Sequence, residues 1–202
     1  MAGVKQITVL GATGSIGQSS LALVRQHPER FAVHGLVAGR DFNRLAALAH
    51  EFKPKIIGIH DQTNLPALKE LVSTLDCQLV AGAAACSEIA AMPVDLVIAG
   101  ISGLAGLPSV MAAVRAGQTV AIANKESLVS AGAVVSRQAI LSGAHILPID
   151  SEHNAVFQCW NGWKGHKSTD KTNGRMTELS HICLTASGGP FLKSPIGDFA
   201  AI

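Results

Sequence analysis

Tyrosine is absent from this chain and aromatic residues make up only 4% of it, so Ala, Val, Ile and Leu must fill any core. Charge is also sparse, at 15% against 48% hydrophobic residues, which excludes a disordered or solvating chain. The formal net charge is +2, with Lys and Arg scattered rather than clustered, and that speaks against a nucleic-acid partner. Cys77, Cys86, Cys159 and Cys183 show no C-x-x-C spacing, and none of the eight histidines has metal-motif spacing. The short apolar run after Lys5 is broken by glycines too early for a secretory signal, so reduced thiols and a cytoplasmic location are expected. Leu96 to Val114 is uncharged for nineteen residues, yet Gly100, Gly103, Gly106 and Pro108 divide it. It reads as strand, turn and helix in a soluble protein with no membrane partner.

What is present is a rhythm. Short β-branched runs at Gln6–Leu10, Ala32–Ala38, Lys55–Ile59, Gln78–Ala81, Leu96–Ala99, Thr119–Ala123 and His145–Ile149 are predicted strands. Between them the pattern predicts helices over Ile16–Gln26, Asn43–Phe52, Leu65–Ser73, Ala84–Ala91, Leu107–Ala116 and Glu126–Leu141. Strand–helix units of this length imply a doubly wound parallel α/β sheet, Rossmann-like, over residues 1–150. From 151 the rhythm changes. Glu152–Gln158 is a predicted helix, Asn161–Thr177 a predicted loop and Ser180–Thr185 a predicted strand. Residues 151–202 are too few for a second independent core and read as the beginning of an α+β catalytic domain.

Two stretches carry chemistry. Gly11, Gly14 and Gly17 lie between a strand and a helix, as pyrophosphate binding requires. The first glycine permits the turn, the second lets backbone amides approach phosphate, and the third allows helix and strand to pack closely. The second strand ends in Val37-Ala38-Gly39-Arg40, with Arg40 where an NAD site would place an acid, so NADP is favoured. Asp41 follows as the cap of the next helix.

Further on, Asp150 and Glu152 lie two apart at the end of an apolar run. In extended structure both carboxylates would leave one face, as hard oxygen ligands for Mg²⁺ or Mn²⁺. The competing reading is a helix start with acidic caps. Ala123-Asn124-Lys125-Glu126-Ser127 closes another strand. Lys125 could hold a substrate phosphate or oxyanion while Asn124 and Glu126 contact ribose or nicotinamide, or the segment could simply cap a helix.

Gly11-Ala-Thr-Gly-Ser-Ile-Gly17, Ala38-Gly-Arg40, Ala123-Asn-Lys-Glu-Ser-Leu128, Pro148-Ile-Asp-Ser-Glu-His-Asn-Ala155 and Thr185-Ala-Ser-Gly-Gly-Pro-Phe191 together resemble the 1-deoxy-D-xylulose 5-phosphate reductoisomerase family, in order from end to end. The resemblance implies an NADPH-dependent rearrangement and reduction of 1-deoxy-D-xylulose 5-phosphate to 2-C-methyl-D-erythritol 4-phosphate. It implies cofactor contacts from Thr13, Gly14, Ser15, Ile16, Gly39, Arg40, Asp41, Asn124 and Glu126. Substrate contacts would come from Lys125, Ser151, Glu152 and Ser187, and the metal ligands would be Asp150 and Glu152, holding Mg²⁺, Mn²⁺ or Co²⁺. Lys125, Asp150 and Glu152 would form the catalytic set. It further implies a homodimer at full length, and continuation past Ile202 with a lid loop and a third acidic ligand. Without those parts the present chain is expected to be inactive. Two rival readings stand beside it: a semialdehyde-type NADP-dependent dehydrogenase, which would need a nucleophilic cysteine, and a non-catalytic NADP-binding module.

Overall fold

A computed structural model describes residues 3–162, 183, 193–195 and 197. The chain separates into two compact units, Met1–Asn154 and Ala155–Ile202. Among the described residues, the first holds every strand. Seven short runs form β1 (Lys5–Leu10), β2 (Phe31–Ala38), β3 (Ile56–Ile59), β4 (Gln78–Ala81), β5 (Leu96–Ala99), β6 (Thr119–Ile122) and β7 (His145–Pro148). All pair in parallel in the order β4-β3-β2-β1-β5-β6-β7. A parallel sheet covered on both faces needs near-continuous apolar strands, which is why Ile-Ile-Gly-Ile and Leu-Val-Ile-Ala serve as β3 and β5.

The connecting helices are α1 (Ser15–Gln26), α2 (Phe42–Phe52), α3 (Leu65–Leu71), α4 (Ala85–Ala90), α5 (Leu107–Arg115) and α6 (Lys125–Ser142). Short 3-10 turns at Gln62–Asn64 and Leu104–Gly106, which periodicity does not reveal, precede α3 and α5. Right-handed crossovers send the first three helices to one face. The reversal of strand order after β4 sends the next three to the other. One layer packs Leu21, Val24, Leu45, Leu48 and Leu68 on Ile7, Val9, Ile57 and Ile98. The second packs Ile89, Val110, Val114 and Val135 on Leu10, Val37, Val97, Val120 and Ile122. Small aliphatics thus supply the core, and Phe31, Phe42 and Phe52 sit only half-buried at its rim. Each buried Leu represents ~2–5 kcal/mol against truncation to Ala.

Two local features depart from simple periodicity. The β1–β2 register shifts between Ile7 and Thr8, leaving His34 as an extra residue, so Val33, Leu36 and Ala38 share the first layer. In α6 the backbone leaves helical geometry at Ala131, next to Gly132. The outer side of α6 exposes Val129, Val134, Ile140 and Leu141. Among the described residues no helix is long and apolar enough to cross a membrane, and Leu96–Val114 resolves into β5, a turn and α5.

A last helix, α7, runs Ser151–Gly162, longer at both ends than the predicted Glu152–Gln158 and reaching into the predicted loop at 161. The remainder of that loop and the predicted strand Ser180–Thr185, Cys183 apart, lie outside the described residues.

Candidate functional site

The strand order reverses between β1 and β5, so the connections leaving their carboxyl ends run to opposite faces and leave a crevice, the place where doubly wound sheets hold ligands. The Gly100 amide bonds the Leu10 carbonyl at 2.9 Å, stitching the two strand ends together. A cavity of 310 Å³ opens there, with Gly11, Thr13, Gly14, Gly39, His60, Cys86, Ile101 and Ser102 among its walls. A smaller cleft of 120 Å³, lined by Ile16, Ala123, Asn124, Lys125 and Glu126, shares the Gly100–Ser102 wall.

The glycine loop is built as its sequence requires. Gly11 sits at φ +80°, and a Cβ there would come within 2.7 Å of the Gly100 carbonyl oxygen. A Cβ on Gly17 would fall 2.6 Å from Ala12 Cα, so the third glycine lets α1 lie against the loop. Gly14 occupies the N-cap of α1 and no side chain caps that helix. Its first-turn amides therefore face the crevice with the positive end of the helix dipole. Ser15 is exposed at that start, and Gln18 Nε2 donates to the Ala12 carbonyl at 2.8 Å to steady the turn.

Arg40 stands at the rim, 88% exposed, with Nε 3.7 Å from Asp61 Oδ2. Its backbone is braced: the Asp61 amide donates to the Gly39 carbonyl and Asn64 Nδ2 to the Arg40 carbonyl. The Thr63 hydroxyl and amide hold the Asp61 carboxyl below its ordinary value, with Arg40 adding a smaller charge effect. Asp41 accepts from the Arg44 amide at 3.0 Å and caps α2. That bond fulfils the capping role and turns one carboxylate oxygen toward the helix rather than the crevice.

Beyond β6 and β7 two further turns meet. The Ile149 amide bonds the Ile122 carbonyl at 3.0 Å, so the strand ends lie side by side. Lys125 Nζ reaches 3.5 Å from Asp150 Oδ2, and His153 Nδ1 lies 3.6 Å from Oδ1. The Asp150 side chain is only 13% exposed, so this pair is partly shielded from water. The Ser151 hydroxyl donates to Glu152 Oε2 at 2.7 Å and is the largest influence holding the Glu152 carboxyl low. The Glu152 backbone amide and Lys125 also help.

One expectation is corrected here. β7 ends at Pro148, and Asp150 and Glu152 lie at the start of α7, not on one face of a strand. Asn154 explains the change: its amide bonds the Asp150 carbonyl at 2.8 Å and its side chain the Pro148 carbonyl at 2.7 Å, closing a helical turn. The two carboxylates still face the same turn and remain hard oxygen donors, the chemistry Mg²⁺ or Mn²⁺ favours. Among the described residues no set of three or more His, Cys, Asp or Glu gathers to hold a metal. Two carboxylates supply only part of the six-oxygen set that such an ion takes. Ser187 lies outside the described residues.

Sequence reasoning missed His60, Cys86 and Ser102 as crevice walls. His60 and Ser102 follow β3 and β5, so the rule that ligands lie beyond strand ends could have found them. Nothing local marks Cys86, which burial alone pushes to a higher pKa.

Fold and crevice together define a Rossmann-type α/β protein with a glycine-loop site at its switch point and a lysine–carboxylate site two strands away. Residues 7–132 match the model of the 1-deoxy-D-xylulose 5-phosphate reductoisomerase family, and 146–202 match that enzyme's C-terminal domain model. The chain belongs to the 1-deoxy-D-xylulose 5-phosphate reductoisomerase family. It is 45% identical over 188 residues to the Bradyrhizobium sp. (strain BTAi1 / ATCC BAA-1182) reductoisomerase, covering 93% of this chain and 44% of the relative. The Rhodopseudomonas palustris (strain TIE-1) reductoisomerase is 44% identical over 189 residues, with 94% and 44% covered. The Zymomonas mobilis reductoisomerase in complex with NADPH superposes with a TM-score of 0.76 at 45% identity, covering 79% of this chain and 42% of that one. A reductoisomerase with NADPH, fosmidomycin and magnesium gives 0.75 at 46% identity, with 77% and 39% covered. The chain thus spans under half the length of these relatives.

Proposed function

We propose that this chain forms the NADPH-binding part, and two of the metal ligands, of an enzyme converting 1-deoxy-D-xylulose 5-phosphate to 2-C-methyl-D-erythritol 4-phosphate. The pyrophosphate lies on the Gly11–Gly14 loop and the first turn of α1. The adenosine 2′-phosphate meets Arg40, and the nicotinamide end extends into the smaller cleft beside Lys125 and Glu126. Asp150 and Glu152 hold Mg²⁺, or Mn²⁺ in its place, while Ser151 and Ser187 contact the phosphorylated substrate. A bound divalent ion supplies Lewis-acid polarisation of a carbonyl and a template for carbon–carbon rearrangement. Lys125 orients substrate oxygens and stands within ion-pair distance of Asp150. The walls of the crevice restrict water around the reacting face. At the relatives' full length the enzyme is a homodimer and works in the cytoplasm.

The observation that carries this reading is the 3.5 Å approach of Lys125 to Asp150 beside a cleft that shares a wall with the glycine-loop cavity. A chain extended to the relatives' length should oxidise NADPH when given 1-deoxy-D-xylulose 5-phosphate and Mg²⁺. It should stop when a chelator removes the metal. Metal-independent turnover, or reduction of a semialdehyde through an alkylatable cysteine, would overturn the assignment. Against that rival, Cys86 is buried within α4 and so poorly placed as a nucleophile.

A further inference from the structure

Asn124 is 3% exposed, and its side chain is fully engaged with the protein. Its Oδ1 accepts from the Ser127 amide at 2.8 Å and the Ser127 hydroxyl at 2.9 Å, capping α6. Its Nδ2 donates across the crevice to the carbonyls of Ile101 at 2.5 Å and Gly103 at 2.6 Å. One amide therefore ties the turn that presents Lys125 and Glu126 to the loop after β5. Gly106 is shaped around the same group: a Cβ there would overlap Nδ2 and come within 2.7 Å of the Ile101 carbonyl oxygen. The walls so joined enclose the smaller cleft.

We infer that Asn124, packed on Gly106, is a positioning residue: a strap that fixes the width of the cleft holding the nicotinamide half of the cofactor. This deepens the proposed function and rests on its cofactor reading. Asn suits the position because one planar group offers an acceptor to the helix and two N–H bonds to the loop. Asp would keep the cap but set a second oxygen against two carbonyls. Ser would keep the cap and lose the strap.

The test compares NADPH with 2′,5′-ADP, which carries the adenosine and its 2′-phosphate but no nicotinamide. Dissociation constants are measured on the unsubstituted chain and on Asn124→Ser, Asn124→Asp and Gly106→Ala, with thermal unfolding recorded beside them. Losing two buried hydrogen bonds to the loop should weaken NADPH on the order of tenfold in each variant. Affinity for 2′,5′-ADP should stay within about twofold, because its contacts lie on the Gly11 loop and Arg40. A general loss of structure would weaken both ligands together, and that result would overturn the inference. So would unchanged NADPH affinity in Gly106→Ala, which disturbs the strap without altering the asparagine. Failure of the unsubstituted chain to bind NADPH would instead overturn the cofactor reading itself, and this is seen before any substitution is compared.

Discussion

Replacing Arg40 with Ala tests whether a single exposed guanidinium sets the preference for NADPH over NADH. A charge-assisted hydrogen bond to phosphate contributes ~1.5–3 kcal/mol, about tenfold to a hundredfold in affinity. The structure places the expected value near the lower end. Arg40 is 88% exposed, so water screens its charge, and Asp61 at 3.7 Å competes for the guanidinium before any phosphate arrives. Two features work in the other direction: the Gly39 and Arg40 carbonyls are held by Asp61 and Asn64, so the backbone needs no reordering. About tenfold is the balance of these effects. NADPH and NADH are titrated separately by nicotinamide fluorescence at two salt concentrations. The unsubstituted chain should prefer NADPH by about that factor, and the preference should shrink as salt rises. Arg40→Ala should bind the two cofactors alike, with NADH affinity unchanged. Equal affinities in the unsubstituted chain, or a preference that survives Arg40→Ala, would refute the reasoning.

Asp150→Asn and Glu152→Gln should each abolish metal-dependent turnover in a chain of the relatives' length while NADPH titrations stay nearly unchanged; near-normal activity at low Mg²⁺ would reduce the two acids to helix caps. Asp41→Ala should lower stability by about 1 kcal/mol through loss of the α2 cap, and leave the NADPH preference in place. A lost preference would mark Asp41 as a cofactor contact. Burial raises the Cys86 pKa, so the neutral thiol is the favoured form in the fold. Its contribution to stability is complete below the pH at which a free thiol titrates and is lost as pH rises through the elevated value. Alkylation followed by peptide mapping should leave Cys86 unmodified at neutral pH and reach it only in more alkaline solution.

The strands and helices were legible because each element's apolar spacing agrees with its burial, as at Leu21 and Val24 of α1. Periodicity failed at β2, where the extra residue at His34 moves Leu36 and Ala38 into the layer that strict alternation would assign to Gly35 and Val37. The glycine loop was readable because Gly11 and Gly17 answer to backbone geometry, which leaves a mark in residue type. The geometry of the acids was not. Two carboxylates two apart look the same on a strand or a helix start, and the choice rests on Asn154 closing a turn onto Pro148 and Asp150. Asn124 was visible as a polar residue in a strand–helix turn. Its hydrogen bonds to Ile101 and Gly103 were hidden, because they join residues more than twenty positions apart.

The order of strands also assigns lifetimes. The glycine loop springs from β1, which is flanked on both sides and lies at the centre of the sheet. The turn bearing Asp150 follows β7, which has four residues and, among the described residues, is an edge strand paired with β6 alone. Fluctuations that peel β7 away break one short ladder, whereas those that free β1 must disrupt the whole sheet. Amide exchange should therefore be faster at Ile146 and Leu147 than at Val9 and Leu10. The turn bearing the carboxylates would open many times for each opening of the glycine loop, so under the proposed function a cofactor would stay seated while the metal-binding end re-forms around each arriving substrate.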